Sequence, residues 1–195
     1  MVTMYTDSQK RRSLIWLLIG ICLLVFPLSS EAATITVSSP SQLKTELEKT
    51  TSGDIVKIAD NIPVIDIGSN KITISANKTL DLNGSTLKAT TGTTYDNSGG
   101  LVLTNVSSFT YFTLKNGTII GGSNVGLEGN TAKAGFMYAD SNAYNLTVTV
   151  QDITHNSEDH KDAGFFKGHS SDIIFKGKIS LYNGSLSNRT DESDI

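Results

Sequence analysis

Three histidines fall within fifteen residues, at His155, His160 and His169, beside Glu158, Asp159 and Asp162. Imidazole and carboxylate together can hold zinc or another divalent ion. His155, His160, His169 and Asp159 are therefore the candidate metal ligands. Their spacings match no recognised ligand motif, however, and a polar excursion between strands accounts for the same residues. Proton abstraction beside a uronate carboxylate calls for an Arg or Lys base and usually calcium. Beyond residue 32 the only arginine is Arg189, in a polar stretch after the last apolar segment, so an arginine-based lyase is excluded by composition. Lys115 or Lys176 could serve as a lysine base, although a lone lysine on a strand reads more simply as a solvated side chain. Asp54, Asp60, Asp66 and Asp81 alternate with apolar residues. That pattern fits an outward polar face better than a calcium cage. No clear carboxylate pair of the kind glycoside hydrolysis needs is present. No residue is assigned a catalytic role, and no cofactor is called for.

The aromatics recur at intervals and should mostly be core. Tyr111, Tyr138, Tyr144 and Tyr182 are the candidates for exposure and stacking on a sugar. Asn-x-Ser/Thr sequences occur at Asn77, Asn83, Asn105, Asn116, Asn145, Asn183 and Asn188. Asn83 and Asn116 precede glycine in positions that a turn requires, so the motif is a by-product of turn chemistry.

The elements that must carry these residues repeat. Thr79-Leu80-Asp81-Leu82-Asn83-Gly84, Thr113-Leu114-Lys115-Asn116-Gly117 and Ser180-Leu181-Tyr182-Asn183-Gly184 each end in Asn-Gly. Asn83 and Asn116 are 33 residues apart, and Asn183 follows after twice that interval plus one. Thr147 to Asp152 fills the missing slot, and Asp172 to Gly177 is an alternative for the last one. A second series, starting at Gly100, Gly135 and Gly164, runs upstream of these turns. Asn and Gly suit a turn with positive φ because both enter the left-handed region cheaply. Asn-Gly hairpins in an antiparallel sandwich are one architecture. The recurrence favours the other, an all-β right-handed parallel β-helix of about four coils, in which turns stack on turns.

Ser39-Pro40-Ser41-Gln42 carries the signals of a helix start, with Ser39 as N-cap and Gln42 closing a capping box. Leu43 and Leu47 then share a face. A capping helix near 39–50 follows from this. Ahead of it, Lys10, Arg11 and Arg12 precede an apolar run from Leu14 to Phe26, and small residues surround Ala32. These are the parts of a secretory signal peptide over 1–32 with cleavage at Ala32, and the run is shorter than the ~20 residues a spanning helix needs. The only cysteine, Cys22, lies inside that run, which excludes a disulfide framework and a Cys-based zinc site. Sixteen basic and 19 acidic residues give a net charge of -3. That balance, with no basic run in the mature chain, argues against nucleic acid or an anionic membrane as partner.

Asp54-Ile55-Val56-Lys57-Ile58-Ala59-Asp60-Asn61-Ile62, Asn77 to Gly84, and Gly164-Phe165-Phe166 through Lys176-Gly177, behind a leader and a Ser-x-x-Gln-Leu helix, resemble the pectate lyase-like adhesive domain of Gram-positive surface proteins. The resemblance covers roughly Ile35 to Asn183. It implies a parallel β-helix and a non-catalytic adhesive module on the cell surface, within a longer anchored protein. The expectation is thus a β-helix domain over 33–186 and a polar, truncated tail over 187–195. Its function would be extracellular adhesion to host or environmental glycans or proteins, with no membrane contact once the leader is gone. A secreted polysaccharide lyase or hydrolase of the same fold is the alternative, and a passive stalk the third.

Overall fold

The computed structural model describes residues 32–90, 99–104, 109–122, 135–139, 146–156, 165–169, 172–182 and 186–189. The segment 1–32, expected to be a leader, lies outside them, apart from Ala32, which is exposed. Alternation of Val, Ile and Leu with Thr, Lys and Asp builds short strands, because successive side chains point to opposite faces. They are β1 (Thr34–Val37), β2 (Ile55–Ile58), β3 (Val64–Asp66), β4 (Lys71–Ile74), β5 (Lys78–Asp81), β6 (Thr86–Lys88), β7 (Gly100–Leu103), β8 (Tyr111–Ile120), β9 (Met137–Ala139), β10 (Thr147–Asn156), β11 (Phe166–His169), β12 (Asp172–Tyr182) and β13 (Leu186–Arg189). All the strand pairings among the described residues are parallel. One sheet has eight strands, with the path β1-β2-β5-β8-β10-β12 and with β3 and β6 joined beside it; the other has five, in the order β4-β7-β9-β11-β13.

Two expectations are corrected here. Parallel pairing on both sides of the Asn-Gly segments excludes the hairpin sandwich. The right-handed parallel β-helix of about four coils is not what the chain forms either. Its strands lie in two separate open parallel sheets, neither closing on itself, and the longer ladder runs through six strands rather than four. Parallel pairing of this kind is the habit of α/β sheets, yet the described residues contain one helix. The 33-residue recurrence records which strands lie side by side. It carries no information about whether the connections close into coils.

The inward rows are apolar and in register: Val56, Leu80, Leu114 and Val150 follow one another across β2, β5, β8 and β10, each fully buried. Ile72, Leu101, Met137 and Phe166 do the same across β4, β7, β9 and β11. Both rows belong to one apolar cluster. Full burial of such a side chain contributes about 1.5–3 kcal/mol, so these rows hold the two sheets.

The helix α1 (Pro40–Glu48) forms where its signals stand. Ser39 Oγ accepts from Gln42 N at 3.3 Å, and Gln42 Oε1 accepts from Ser38 N at 2.9 Å, one residue before the N-cap amide that a capping box would use. Leu43 and Leu47 are fully buried. Lys44 and Glu48, which flank this buried stripe, supply polar contacts to β4, the edge strand of the smaller sheet. Glu48 Oε1 accepts from Thr73 N at 3.2 Å, and Lys44 Nζ donates to Lys71 O at 3.1 Å. The helix therefore satisfies backbone groups that an open edge would otherwise present.

At the other end of that sheet β13 pairs with β11, Leu186 with Phe166 and Arg189 with His169. Residues 187–189, expected in a polar tail, are therefore strand. Asn183 and Gly184 lie outside the described residues.

Candidate ligand-binding face

The long strands of the larger sheet bend at one column of residues. Asn83, Asn116 and Asp152 have φ of 53°, 62° and 51°, and Gly177 has φ of 67°. Asp152 fills the slot between Asn116 and the last turn, and Gly177, not Gly184, follows it across the β10–β12 bulge between Gln151 and Ile153. Side chains tie the column together. Asn83 Nδ2 donates to Ile58 O at 3.0 Å and to Asp60 Oδ1 at 2.5 Å. Asn116 Nδ2 donates to Asp81 Oδ1 at 3.0 Å, which also accepts from Asn83 N at 2.9 Å. Asp152 Oδ1 accepts from Lys178 N at 2.9 Å. Gly117, expected to be the left-handed residue, is not. It is glycine for space, since a Cβ there would lie 2.5 Å from Ser85 O and from Leu82 Cβ.

Outward rows flank this bend. Before it, Thr79, Thr113 and Thr149 are in register, and beside them run Lys57, Asp81, Lys115, Gln151 and Lys176. After it, Thr86, Thr118, Thr154 and Ser180 form a second hydroxyl row. Lys115 Nζ lies 3.2 Å from Asp81 Oδ2, and Lys57 Nζ 3.5 Å from Asp60 Oδ1. The Asn83 amide first, then the charge of Lys57, holds the Asp60 carboxyl below its ordinary range. Beside Lys57 is a recess of about 400 Å³ lined by Thr36, Ile58, Ala59, Asp60 and Asn61. Tyr111 stands on this sheet at 40% exposure.

The other expected site residues are placed differently. Tyr138 is buried at 4% exposure, which corrects it as a sugar-stacking candidate: it sits in the continuous buried run Gly135 to Ala139. Tyr182 lies on β12 opposite Asn156, and Tyr144 lies outside the described residues. His155 is fully buried and shares its inward face with Ile153. Its Nε2 is 2.8 Å from Gly121 O, so Nε2 carries the proton and Nδ1 holds a lone pair, which has no hydrogen-bond partner among the described residues. Its ring packs against Phe165 with centroids 5.2 Å apart. Burial pushes its pKa down, and the Gly121 carbonyl only partly opposes this. His169 is on β11 in the other sheet, whereas His160 and Asp159 lie outside the described residues. Among the described residues no three His, Cys, Asp or Glu side chains are grouped to hold a metal. A buried histidine wedged between apolar residues is a core residue, and His155 is corrected accordingly.

Lys78, which no motif in the sequence marks, is fully buried. Its Nζ reaches Asp54 Oδ2 at 3.1 Å and Thr51 Oγ1 at 3.4 Å. Burial pulls the Asp54 carboxyl upward, but the Thr51 hydroxyl and the Lys78 ammonium outweigh it and leave the group below its ordinary range. Lys78 is a buried side chain held by an ion pair with Asp54. Among the described residues no helix is long and apolar enough to cross a membrane. No family model matches the chain, and neither a curated protein nor a solved structure matches it.

Proposed function

We propose that the chain is a non-catalytic binding module, exported and held at a cell surface as part of a longer protein, which attaches to a glycan or protein ligand. The observation that carries this reading is the outward face of the larger sheet. Two hydroxyl rows and a charged row run across adjacent strands in fixed register, and the bend column ties their backbones together. A preorganised array of donors and acceptors loses little conformational freedom on binding. The carboxylates nearest the face are engaged: Asp60 and Asp81 accept from the side-chain amides of Asn83 and Asn116, and Asp152 accepts from Lys178 N, which suits a structural role and not proton transfer. The basic and apolar parts of the first 32 residues support export.

The test is binding of the purified chain to immobilised neutral and acidic polysaccharides and to extracellular matrix proteins, with unsaturated uronate and new reducing ends assayed in parallel. Saturable binding that Thr113→Glu with Thr149→Glu abolishes, without product, is the expected result. Product formation would establish a lyase or hydrolase instead. Absence of binding to every probe would leave a passive stalk.

A further inference from the structure

We infer that the ligand of this face is a linear glycan with one carboxylate in every disaccharide. The inference rests on the binding-module reading above. It comes from the charged row, whose members alternate from strand to strand: Lys57, Asp81, Lys115, Gln151, Lys176. A cation stands on every second strand, and a side chain that accepts hydrogen bonds stands between. Adjacent strands are ~4.8 Å apart, which puts successive lysines ~9.6 Å apart along the sheet. That interval is of the same order as one extended disaccharide. A glycan crossing the strands would place a carboxylate over each lysine and a neutral sugar over Asp81 and over Gln151. A glycan with a carboxylate on every sugar would set one of them against Asp81.

Lys57 and Lys115 each already face one carboxylate, Asp60 at 3.5 Å and Asp81 at 3.2 Å, and each keeps donors for a ligand. An ammonium has three hydrogens, so Lys115 can keep Asp81 at 3.2 Å and still donate to a ligand. Lys176 is exposed. Thr79, Thr113 and Thr149, in register beside the charged row, offer hydroxyls that donate or accept toward sugar hydroxyls. The recess of about 400 Å³ beside Lys57 gives the chain end a seat where the row stops.

The experiment measures binding of the full chain to hyaluronan octasaccharide (a carboxylate on alternate sugars), to a polygalacturonate oligomer (one on every sugar) and to a neutral β-1,4-glucan oligomer. Hyaluronan should bind most tightly and weaken as salt rises from ~50 to ~300 mM. Exposed charge pairs are weak individually, so Lys115→Gln and Lys176→Gln should each weaken it about two- to fivefold. The two together should approach the product of the single effects. Thermal unfolding of both variants reports whether the face is intact. Equal binding of hyaluronan and the neutral glucan, indifferent to both substitutions, would overturn the alternating-charge inference while leaving a glycan-binding face. Preference for polygalacturonate would overturn it as well. Binding of no glycan, with a matrix protein captured instead by the same face, would refute the inference and keep the module reading. Binding of nothing would refute both.

Discussion

Replacement of Asn116 separates the two things that this residue does at the bend. Its φ of 62° is open to asparagine at modest cost but disfavours alanine by about 1–2 kcal/mol. Its amide also donates to Asp81 Oδ1 at 3.0 Å, a bond to an ionised acceptor that contributes about 1.5–3 kcal/mol. Asp81 keeps Asn83 N and Lys115 as partners, so it is not orphaned, and the lower end of that range applies. Asn116→Ala should therefore destabilise by about 3 kcal/mol. Asn116→Gly loses the same hydrogen bond without the strain and should cost about 1 kcal/mol less. Urea unfolding followed by circular dichroism gives the comparison, provided the two variants share one slope and differ in midpoint. A glycine variant as damaged as the alanine variant would show that backbone strain is not what asparagine relieves here. Two variants indistinguishable from the parent would remove the bend column from the account of stability.

The glycines give a complementary test by thermal unfolding. Gly117→Ala should cost about 1–3 kcal/mol through overpacking, because its new methyl group would press on Leu82 and Ser85. Gly99→Ala should also be costly, since a Cβ there would fall 2.0 Å from Gly68 O. Similar tolerance of both changes would show that the strands are farther apart than described. Histidine 155 predicts a pH dependence. Its folded pKa lies below the unfolded value, so the unfolded chain binds the extra proton and stability falls as pH drops below about 6.5, by at most ~1.4 kcal/mol per pH unit. His155→Phe should flatten this part of the profile, and an unchanged slope between pH 6.5 and 5 would contradict the burial.

What was legible in the sequence was local. Ser39, Pro40 and Gln42 announce α1 because capping needs only neighbouring residues, and Leu43 and Leu47 reveal its buried face by spacing. Asn83 and Asn116 mark the bend because few residue types enter positive φ. Asp152 does the same less clearly, and Gly177 was one of two options for the last slot. The burial of His155 was written in the alternation Ile153-Thr154-His155, but the acidic and basic residues that follow it suggested a polar excursion. Tyr138 was misplaced because a run buried on both sides has no period that separates inside from outside. The Asn-Gly pair points to a turn role for Gly117, but its constraint is the approach of Leu82 and Ser85 from 32 or more positions away. The recurrence likewise shows neighbouring strands but leaves closure to the intervening segments, which is why two open sheets are compatible with it.

The bend column and the charged row are two consequences of one register. Asn83, Asn116, Asp152 and Gly177 line up because the strands keep one register up to the bend, where the β10–β12 bulge takes up the extra residue, and a slip of one residue before the bend would send the outward lysines into the core. The side chains that fix the bend therefore also fix the interval between lysines. A flexible basic segment attracts any anion in proportion to its charge, and salt erases the attraction evenly. Cations held at a set interval add their contributions only for a ligand whose charges keep the same interval. Each lysine contributes little, because Lys57 and Lys115 are already engaged by a carboxylate and Lys176 is exposed, so affinity grows with the number of matched repeats rather than with the strength of one contact. Specificity on such a face resides in spacing, and the parallel ladder sets that spacing.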